Sequence, residues 1–550
     1  MQRDLGALDG EFEVLIIGGG IYGACLARTV AQAGFSVALL EKDDFGGAVS
    51  HNSLKIVHGG FRYIQHFDLP RIWESVAAQR AWLSAAPHLV QPMRCVIPAY
   101  GYGTRGPMAF AAGICAFHAV AGRRNAGLSG ASRLPRSGVL SRRSLLSQYP
   151  QLAREDLTGG AYWYDAQMLD ANRLTLECLQ DAGEHGAIMA NHVEVLHLCA
   201  TASAVEGAVV RDNLTGREFE VRARVTINAT GPFVESVLKA GPRSIKIARP
   251  LVWTRNVNIV TRKLFAARDA VGVGSRRPSD AAIGKSQRLF FVTSWQDCSV
   301  VGTSHTRHQS TQHDIQDDVR KDVADFIAEV NEALPQLDLD AEDVRYVHSG
   351  LTPAEDDVKR SKRSTVIDHE QTDGVRALIT VLGIKYTTAP IVAASVIPII
   401  QRLLQRAHDP GLRTEFWRPL PGRIEPLHDT DPAAKDTMQD DASWARRVYG
   451  ARAYELFSLL PAAGFSAAEH TFRCRVLYGI QNEMVMRLRD AVLRATDLAE
   501  RGCLTRSQLE WCADTLATRF SWSEQRRQAE IDAVLPSLRL RNAVDLAAVV

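Results

Sequence analysis

The stretch from Val14 to Gly23 constrains the fold more than any other part of the chain. It reads Val-Leu-Ile-Ile-Gly-Gly-Gly-Ile-Tyr-Gly, so four apolar residues lead directly into glycines spaced G-x-G-x-x-G. The apolar run Val14–Ile17 predicts a buried parallel strand, and the small and apolar residues after the glycines predict a helix packed on a sheet. A second apolar run, 35–40, ends in Glu41. This order of strand, turn, helix, strand and acid is the fingerprint of a dinucleotide-binding fold.

Each residue of the fingerprint has a physical task. Gly18 makes the tight turn, Gly20 lets a pyrophosphate approach the backbone, and Gly23 lets the helix lie close to the strand. The helix N-terminus offers unpaired N–H groups and the positive end of its dipole to phosphates. Glu41 is expected to accept hydrogen bonds from a ribose diol. The alternative is a plain glycine-rich turn, and the flanking strands and the acid weigh against it.

Composition and charge exclude several classes of protein. A chain of 550 residues has room for two or three domains. The net charge of +2 gives no broad positive field, so no nucleic-acid partner is expected. The nine cysteines include no C-x-x-C pair, which favours reduced thiols in a cytoplasmic protein. No metal site is expected.

The pattern of apolar residues predicts no membrane-spanning helix, because no apolar run reaches the roughly 20 residues that a bilayer requires. The longest run, Met108–Gly122, contains His118. It favours a buried helix over a segment on the membrane surface. Residues 319–334 predict an amphipathic helix, 410–432 a polar, proline-rich linker, and the patterning after Ala442 is almost wholly helical.

Five further segments accompany the glycine fingerprint. They are Ser50–Tyr63, which contains Lys-x-x-His-Gly-Gly-x-Arg-Tyr, and Asn228–Pro232, Val301–Ser304, Gly383–Thr388 and Asn482–Asp490. With these segments the chain resembles the FAD-dependent glycerol-3-phosphate dehydrogenases over nearly its whole length. The segment around His58 is much more specific to that family than the glycines are.

The resemblance implies an α/β fold in which a Rossmann-type FAD-binding domain is interleaved with a β-rich substrate domain within residues 11–410. The FAD-binding domain would comprise mainly 11–100, 155–240 and 345–408, and the substrate domain mainly 100–155 and 240–345. A linker, 411–432, would lead to an all-helical C-terminal domain, 433–550. The flavin ring is expected where the two interleaved domains meet.

The resemblance also implies which residues contact FAD. Besides the three glycines and Glu41, they are Ser50, Ser53, Lys55, His58, Thr230, Gly231, Gly383, Lys385, Tyr386 and Thr387. The loop that begins at Ser50 is expected beside the flavin, and the turn that contains Thr230 near the adenosine end. For that turn, an ordinary strand end remains the alternative.

Three residues are expected to carry catalysis: His58, Arg62 and Lys385. His58 has a suitable unperturbed pKa for taking a hydroxyl proton, Arg62 can hold an anionic group through a fork of donors, and Lys385 can place a charge near the substrate oxygen. Arg62, Tyr63 and Thr352 are expected to bind the substrate. The alternatives are a structural histidine, an arginine paired with a local carboxylate and a surface lysine at a helix start. Thr387 and Thr388 are expected to cap the helix that follows.

Two positions depart from the family pattern at the expected phosphate site. Thr352 stands in Gly350-Leu-Thr-Pro353 where the family typically has an arginine, and Ile367 stands before Asp368 where a second arginine is expected. Losing two guanidinium groups would remove much of a charge-assisted grip on phosphate. Four basic residues between these positions either compensate or form a solvated loop: Lys359, Arg360, Lys362 and Arg363.

The sequence therefore predicts an FAD-dependent oxidoreductase that oxidises a small polar secondary alcohol by hydride transfer to flavin N5. Glycerol 3-phosphate, giving dihydroxyacetone phosphate, is the preferred substrate. The alternatives are a dehydrogenase or oxidase of another hydroxy compound or an amine, and an FAD-binding subunit without turnover. The electron acceptor is left open between a quinone and oxygen. Peripheral contact with the inner face of the membrane and oligomer formation are also left open.

Overall fold

The computed structural model describes residues 1–541 except 67, 104–105, 202, 241–244, 246–250, 278–287, 309–314, 355–362, 407–417 and 425–440. The side chains of 62, 65–66, 315–318 and 539–541 also lie outside the described part. The predicted linker therefore falls largely outside it.

The described strands are, in chain order, β1 (Glu11–Ile17), β2 (Val37–Leu40), β3 (Ile56–Val57), β4 (Val90–Tyr100), β5 (Gly138–Ser141), β6 (Leu157–Met168), β7 (Ile188–Ala190), β8 (Val193–Ala200), β9 (Val205–Asp212), β10 (Glu218–Asn228), β11 (Val252–Arg262), β12 (Ala270–Gly274), β13 (Leu289–Trp295), β14 (Cys298–His308), β15 (Val344–Ala354), β16 (Thr365–Asp368) and β17 (Leu378–Leu382).

The described helices are α1 (Ile21–Gln32), α2 (Leu69–Ala85), α3 (Pro107–Val120), α4 (Arg142–Gln148), α5 (Ala171–Glu184), α6 (Val234–Lys239), α7 (Ile315–Ala333), α8 (His369–Asp373), α9 (Ala389–Leu403), α10 (Asp441–Tyr449), α11 (Ala453–Ser458), α12 (Ala467–Asn482), α13 (Leu488–Asp490), α14 (Arg506–Phe520) and α15 (Glu524–Arg541).

The first sheet has the predicted dinucleotide-binding topology. Its strands follow the order β16-β17-β10-β1-β2-β7, and β8 and β9 extend it from β10. The pairs β17–β10, β10–β1, β1–β2 and β2–β7 are all parallel. The helices α1, α5 and α9 pack together against the fully buried strands, whose apolar side chains form the largest core. This arrangement follows from the continuous apolar runs of β1 and β2, which leave no face for solvent.

The second sheet is mainly antiparallel and follows the order β15-β11-β14-β13-β12-β4-β6-β3, with β5 on β6. Its own core includes the apolar stripe of α7, which confirms the predicted amphipathic helix. The strands β4, β6 and β15 belong to this sheet. The ranges predicted from the sequence placed those segments mainly with the FAD-binding part, so the chain crosses between the two sheets more often than expected.

The helix α3 corrects one prediction. Residues 107–120 are helical, as expected, but the helix is not buried: only Ile114 and Phe117 are inaccessible, and Met108 is 78% exposed. The burial prediction was wrong because an apolar helical sequence does not show whether both faces of the helix pack against other parts of the protein. Within the described residues, no helix has the length and apolar character needed to cross a bilayer.

The helical character of the C-terminal region, α10–α15, is confirmed. Part of it has a core of its own, around Leu488 and Val492, whereas Trp444, Tyr449 and Tyr478 join the core of the first sheet. The region is therefore packed onto the rest of the molecule through shared apolar side chains. The domain boundaries themselves remain predictions.

A buried ion pair ties this region to the core. The Lys55 ammonium lies 2.7 Å from the Glu500 carboxylate and 4.1 Å from the centre of the Trp295 ring. His348 Nε2 lies 2.6 Å from the same carboxylate. Burial raises the pKa of Glu500, but the charges of Lys55 and His348 outweigh that effect and lower it to about 2.

This shift predicts acid sensitivity of the contact. The pKa of an unfolded glutamate is about 4.3, so Glu500 contributes stability that is complete above that pH and is lost as the pH falls towards 2. Glu500→Gln should lower the free energy of unfolding by up to roughly 3 kcal/mol at neutral pH, and the deficit should shrink below about pH 4. Urea titrations across pH measure this. Glu510→Gln, which removes the exposed pair with Arg506, is the control and should show no such dependence.

Candidate active site

A cavity of about 2700 Å³ lies where the carboxyl ends of the first sheet face the second sheet. In the first sheet Ile17 pairs with Leu40 and Asn228, and Asn228 pairs with Thr380, so these parallel strands end at one edge. Ligands bind at such an edge in open α/β sheets. The predicted site residues that line the cavity are Gly18, Gly20, Glu41, Ser50, Ser53, His58, Tyr63, Thr230, Gly231, Thr352, Gly383, Lys385, Tyr386 and Thr387.

The glycine turn is built by backbone contacts too close for side chains. Gly18 has φ +104°, and a Cβ on Gly23 would lie 1.8 Å from the Gly18 carbonyl oxygen. A Cβ on Gly20 would lie 3.0 Å from Ser50 Oγ, which accepts a hydrogen bond from the Ile21 amide at 2.9 Å. Gly20 is the N-cap of α1 and makes no side-chain cap bond. The helix N-terminus therefore opens on the cavity, whereas Gly23 serves the turn and does not line the cavity.

Glu41 holds the glycine turn as well as lining the cavity. Its carboxylate accepts hydrogen bonds from the Gly19 amide at 2.6 Å and from the Asp43 amide at 3.0 Å. Burial raises the pKa of Glu41, and these bonds oppose that rise. The adenosine-side turn is fixed similarly, since Thr230 Oγ1 donates to Asn228 Oδ1 at 2.7 Å.

His58 pairs with Asp165, a residue that the sequence analysis missed. His58 Nδ1 lies 3.1 Å from Asp165 Oδ2, and the Gly59 amide donates to Asp165 Oδ1 at 2.8 Å. Burial raises the pKa of Asp165, but the hydrogen bond and charge of His58 and the Gly59 amide outweigh it, so the pKa lies below its usual value. The ionised carboxylate fixes the imidazole tautomer with its proton on Nδ1. The His58 side chain remains 44% exposed, and its residue lines the cavity.

Lys385 and Arg71 both contact Tyr63. The Lys385 ammonium donates a hydrogen bond to the Tyr63 hydroxyl, and the Arg71 guanidinium carbon lies 4.0 Å from the centre of the Tyr63 ring. Arg71 lines the cavity; its Nη1 is 3.5 Å from Asp68, and its Nε is buried without a hydrogen-bond partner in the described structure. Two cations thus contact one aromatic ring at the wall of the cavity, which favours an anionic ligand there. Arg71 was not predicted, although it opens a helix just after the His-Gly-Gly segment.

The loop that carries Lys385 is held by Tyr22. The Tyr22 hydroxyl donates to the Lys385 carbonyl at 2.8 Å and accepts from the Ile384 amide at 3.2 Å. A Cβ on Gly383 would lie 2.1 Å from the Tyr22 ring, so this position requires glycine. The predicted capping of α9 is wrong: Thr388 makes no side-chain cap bond, and its hydroxyl faces the Lys385 carbonyl at 3.4 Å.

Thr352 is hydrogen-bonded by neutral side chains, and Arg307 and His305 line the cavity on the neighbouring strand, opposite Thr254 and Asn256. Asn256 Nδ2 donates to Thr352 Oγ1 at 2.7 Å, and Thr254 Oγ1 lies 3.2 Å from the same hydroxyl. Ile367 does not line the cavity; it packs with Trp253 and its apolar neighbours. Of the basic loop, only Arg363 is described, 3.6 Å from Asp68.

The structure does not bring Lys55 to the cavity, because its ammonium is buried against Glu500. The side chain of Arg62 lies outside the described part; its backbone is in the short 3-10 helix Phe61–His66. Lys359, Arg360 and Lys362 also lie outside the described residues.

Comparison with known proteins decides the family. A family model described as FAD dependent oxidoreductase matches residues 13–397. The chain belongs to this family. It is an FAD-dependent oxidoreductase, and the predicted cofactor is confirmed.

Individual relatives of this FAD-dependent oxidoreductase are similar along most of the chain. The glycerol-3-phosphate dehydrogenase of Synechocystis sp. is 29% identical, over 94% of this chain and 95% of the relative. The mitochondrial glycerol-3-phosphate dehydrogenase of Macaca fascicularis is 28% identical, over 95% and 72%. The solved glycerol-3-phosphate dehydrogenase from Bacillus halodurans, complexed with FAD, shares the fold with a TM-score of 0.74 at 20% identity, covering 98% of this chain and 96% of its own.

The residues present fit FAD. The N-terminus of α1, which lines the cavity at Gly20 and Ile21, and the side-chain-free face of Gly20 suit a pyrophosphate, and Glu41 lies where a ribose is expected. A cavity of this volume exceeds the usual size of small-molecule sites, as a dinucleotide together with a substrate requires.

The glycine contacts predict which substitutions remove FAD. Gly23→Ala should displace the turn, because the added carbon would meet the Gly18 carbonyl, and the purified protein should carry little or no FAD. Gly10→Ala is the control, since a Cβ there meets nothing within 4 Å. The ratio of bound flavin to protein measures both. Full FAD occupancy in Gly23→Ala would show that the turn does not hold the cofactor.

Proposed function

We propose that this FAD-dependent oxidoreductase oxidises glycerol 3-phosphate to dihydroxyacetone phosphate. The observation that carries the proposal is a pair of cations in the cavity that also contains His58. Lys385 contacts the hydroxyl of Tyr63, and Arg71 contacts its ring. An anionic alcohol needs a cationic anchor at one end and a proton acceptor at the other. The names of the relatives agree with this substrate.

Oxidation of a secondary alcohol removes a hydride from carbon and a proton from oxygen. Bound FAD supplies the hydride acceptor. Asp165 receives the Nδ1–H of His58, which leaves the Nε2 lone pair to take the hydroxyl proton. Lys385 stabilises negative charge that develops on the substrate oxygen, and Tyr63 fixes the position of its ammonium.

Arg71 is proposed to bind the phosphate together with Arg62. Its Nε has no partner in the described structure, and its contact with Asp68 is long for an ion pair. Arg71 lines the cavity, and a guanidinium that cannot lose its proton offers phosphate oxygens a fork of charged donors.

Removal of the Arg71 guanidinium is expected to weaken substrate binding. Arg71→Ala should weaken the apparent affinity of flavin reduction for glycerol 3-phosphate by about tenfold or more, because a charge-assisted hydrogen bond contributes about 1.5–3 kcal/mol. FAD should remain bound. Rapid-mixing reduction kinetics measure the effect. Arg80→Ala, on the same helix but outside the cavity lining, should leave the kinetics unchanged; equal kinetics in both variants would contradict the assignment.

Thr352, which stands where the family pattern has an arginine, favours a second candidate, a hydroxy or amine substrate without a phosphate at that end. Thr352→Arg separates the two. If glycerol 3-phosphate is the substrate, the added guanidinium should tighten its binding. If the end is built for an uncharged group, the same change should hinder the true substrate by leaving a charge unpaired in a desolvated site.

We also propose that the enzyme docks on a membrane surface through α3. Four large apolar side chains are exposed on or beside α3: Trp73, Tyr102, Met108 and Val139. Trp73 Nε1 donates to the Val120 carbonyl at the end of α3, and α3 contacts β5, which carries Val139. These side chains therefore lie on one region of the surface, around α3. The sequence from residue 75 to 154 contains ten arginines and no aspartate, glutamate or lysine. Apolar side chains surrounded by arginines suit an anionic lipid surface. Such docking would give the flavin access to a quinone.

Matched tyrosines test the membrane proposal. Tyr102 and Tyr454 are each 87% exposed, but only Tyr102 lies beside α3. Tyr102→Ser together with Met108→Ser should reduce co-sedimentation with vesicles that contain anionic phospholipid, and Tyr454→Ser should not. If the wild-type protein stays in the supernatant when such vesicles sediment, the docking proposal is wrong and a soluble acceptor such as oxygen is favoured.

A further inference from the structure

The segment Asn482–Asp490 has no role in the site described so far, although it lies at the cavity. The C-terminal region contributes six residues to the lining: Arg487, Arg489, Asp490, Leu493, Arg494 and Ser537. They share the nucleotide end of the cavity with Lys42, Asp43 and Asp44, which follow β2 and Glu41. A region without a glycine fingerprint of its own thus forms one wall where the fingerprint places the adenosine half of FAD.

Two buried ion pairs join this wall to the core. Arg494 Nε lies 2.5 Å from Asp44 Oδ2, and Asp490 Oδ2 lies 2.8 Å from His192 Nε2. Asn191 Nδ2 completes the first pair with a hydrogen bond to Asp44 Oδ1 at 3.0 Å. The His192 amide donates to the Asp43 carbonyl at 2.8 Å, so both pairs hold the same loop.

The pairs are nearly dry. Side-chain exposure is 3% for Arg494, 12% for Asp44, 5% for His192 and 1% for Asp490. Burial lowers the pKa of His192, but the charges of Asp490 and Asp44 outweigh it and raise the pKa above its usual value. Breaking one such pair leaves an uncompensated buried charge. The pairs therefore oppose separation of the loop from the C-terminal region.

Two guanidinium groups of this wall retain donors that no described residue uses. Arg494 Nη1 and Arg487 Nε are both buried without a hydrogen-bond partner in the described structure. Their other nitrogens are used, since Arg494 Nη2 donates to the Glu483 carbonyl at 2.9 Å and Arg487 Nη2 to the Asn213 carbonyl at 2.8 Å. Both residues line the cavity, and their guanidinium charge suits phosphate oxygens at a nucleotide site.

The three side chains Asp44, His192 and Asp490 lie close enough to suggest a metal site. Arg494 argues against that reading, because its guanidinium already neutralises Asp44. The Met486 and Arg487 amides also donate to Asp490 Oδ2, at 3.0 and 2.9 Å.

We propose that the C-terminal region is part of the FAD site and locks the cofactor in place. The Arg494–Asp44 and Asp490–His192 pairs clamp the loop after β2 around the adenosine half, and the positive charge of Arg494 and Arg487 in the cavity wall favours its phosphate. Retention of FAD is therefore coupled to the contact of residues 487–494 with the loop after β2, and not to every contact of the C-terminal region with the core. Because coupling is reciprocal, FAD must also stabilise the docked region.

The first test compares two arginines of the same segment. Arg494→Ala breaks a pair with the core at the cavity, and Arg501→Ala breaks a pair with the core at Asp297, which does not line the cavity. Dissociation of FAD, followed by the recovery of flavin fluorescence on dilution, should be about tenfold faster or more in Arg494→Ala and nearly unchanged in Arg501→Ala. Equal rates in the two variants would overturn the proposal.

The second test needs no variant and applies even if Arg494→Ala does not fold. Amide hydrogen exchange of the wild-type protein is compared with and without FAD. Peptides covering 482–496 should exchange more slowly in the FAD-bound protein, and peptides covering α14 should change much less. Equal exchange of 482–496 in the two states would overturn the proposal independently of substrate and activity.

Discussion

The close approach of Gly23 to the Gly18 carbonyl is the contact on which the rest of the site depends. It lets α1 begin directly at the end of β1, so the helix N-terminus, the acid at the end of β2 and the turn after β10 meet at one edge. No residue with a side chain can replace Gly23 without moving that edge. The proposed cofactor contacts depend on this position, because the parallel register fixes where the neighbouring strands end relative to it.

The proposed catalytic residues come from both sheets and meet at the same cavity, since His58 and Asp165 lie on the side of the second sheet and Lys385 follows β17 of the first sheet. Asp165 on β6 orients His58, and Tyr63 positions Lys385, so each reactive group has a second residue that fixes it. The chain passes repeatedly between the two sheets, since β4, β6 and β15 belong to the second sheet and β7, β10 and β17 to the first. The proposed function therefore rests on side chains whose positions are determined by packing.

Sequence alone predicted the parts that depend on local rules. The glycine fingerprint and the periodicity of α7 follow from spacing, and the structure contains the strands and helices that they predict. Asp165 was missed because only its burial in a strand reveals that it needs a partner, and Arg71 because its distance to Tyr63 is a tertiary property. Lys55 belonged to a specific motif, yet its partner, Glu500, lies far along the chain in the C-terminal region. The exposure of α3 was predicted wrongly, although the absence of acidic residues around it was readable in the sequence.

The central claim is that the bound flavin accepts a hydride from glycerol 3-phosphate. The most direct measurement is the visible spectrum of the purified protein mixed with glycerol 3-phosphate in the absence of oxygen. The account predicts rapid bleaching of the oxidised flavin by glycerol 3-phosphate and little or none by glycerol, which lacks the anionic group. A flavin that stays oxidised with glycerol 3-phosphate but is bleached by an amine or an unphosphorylated hydroxy compound would contradict the account, as would a flavin that no donor reduces.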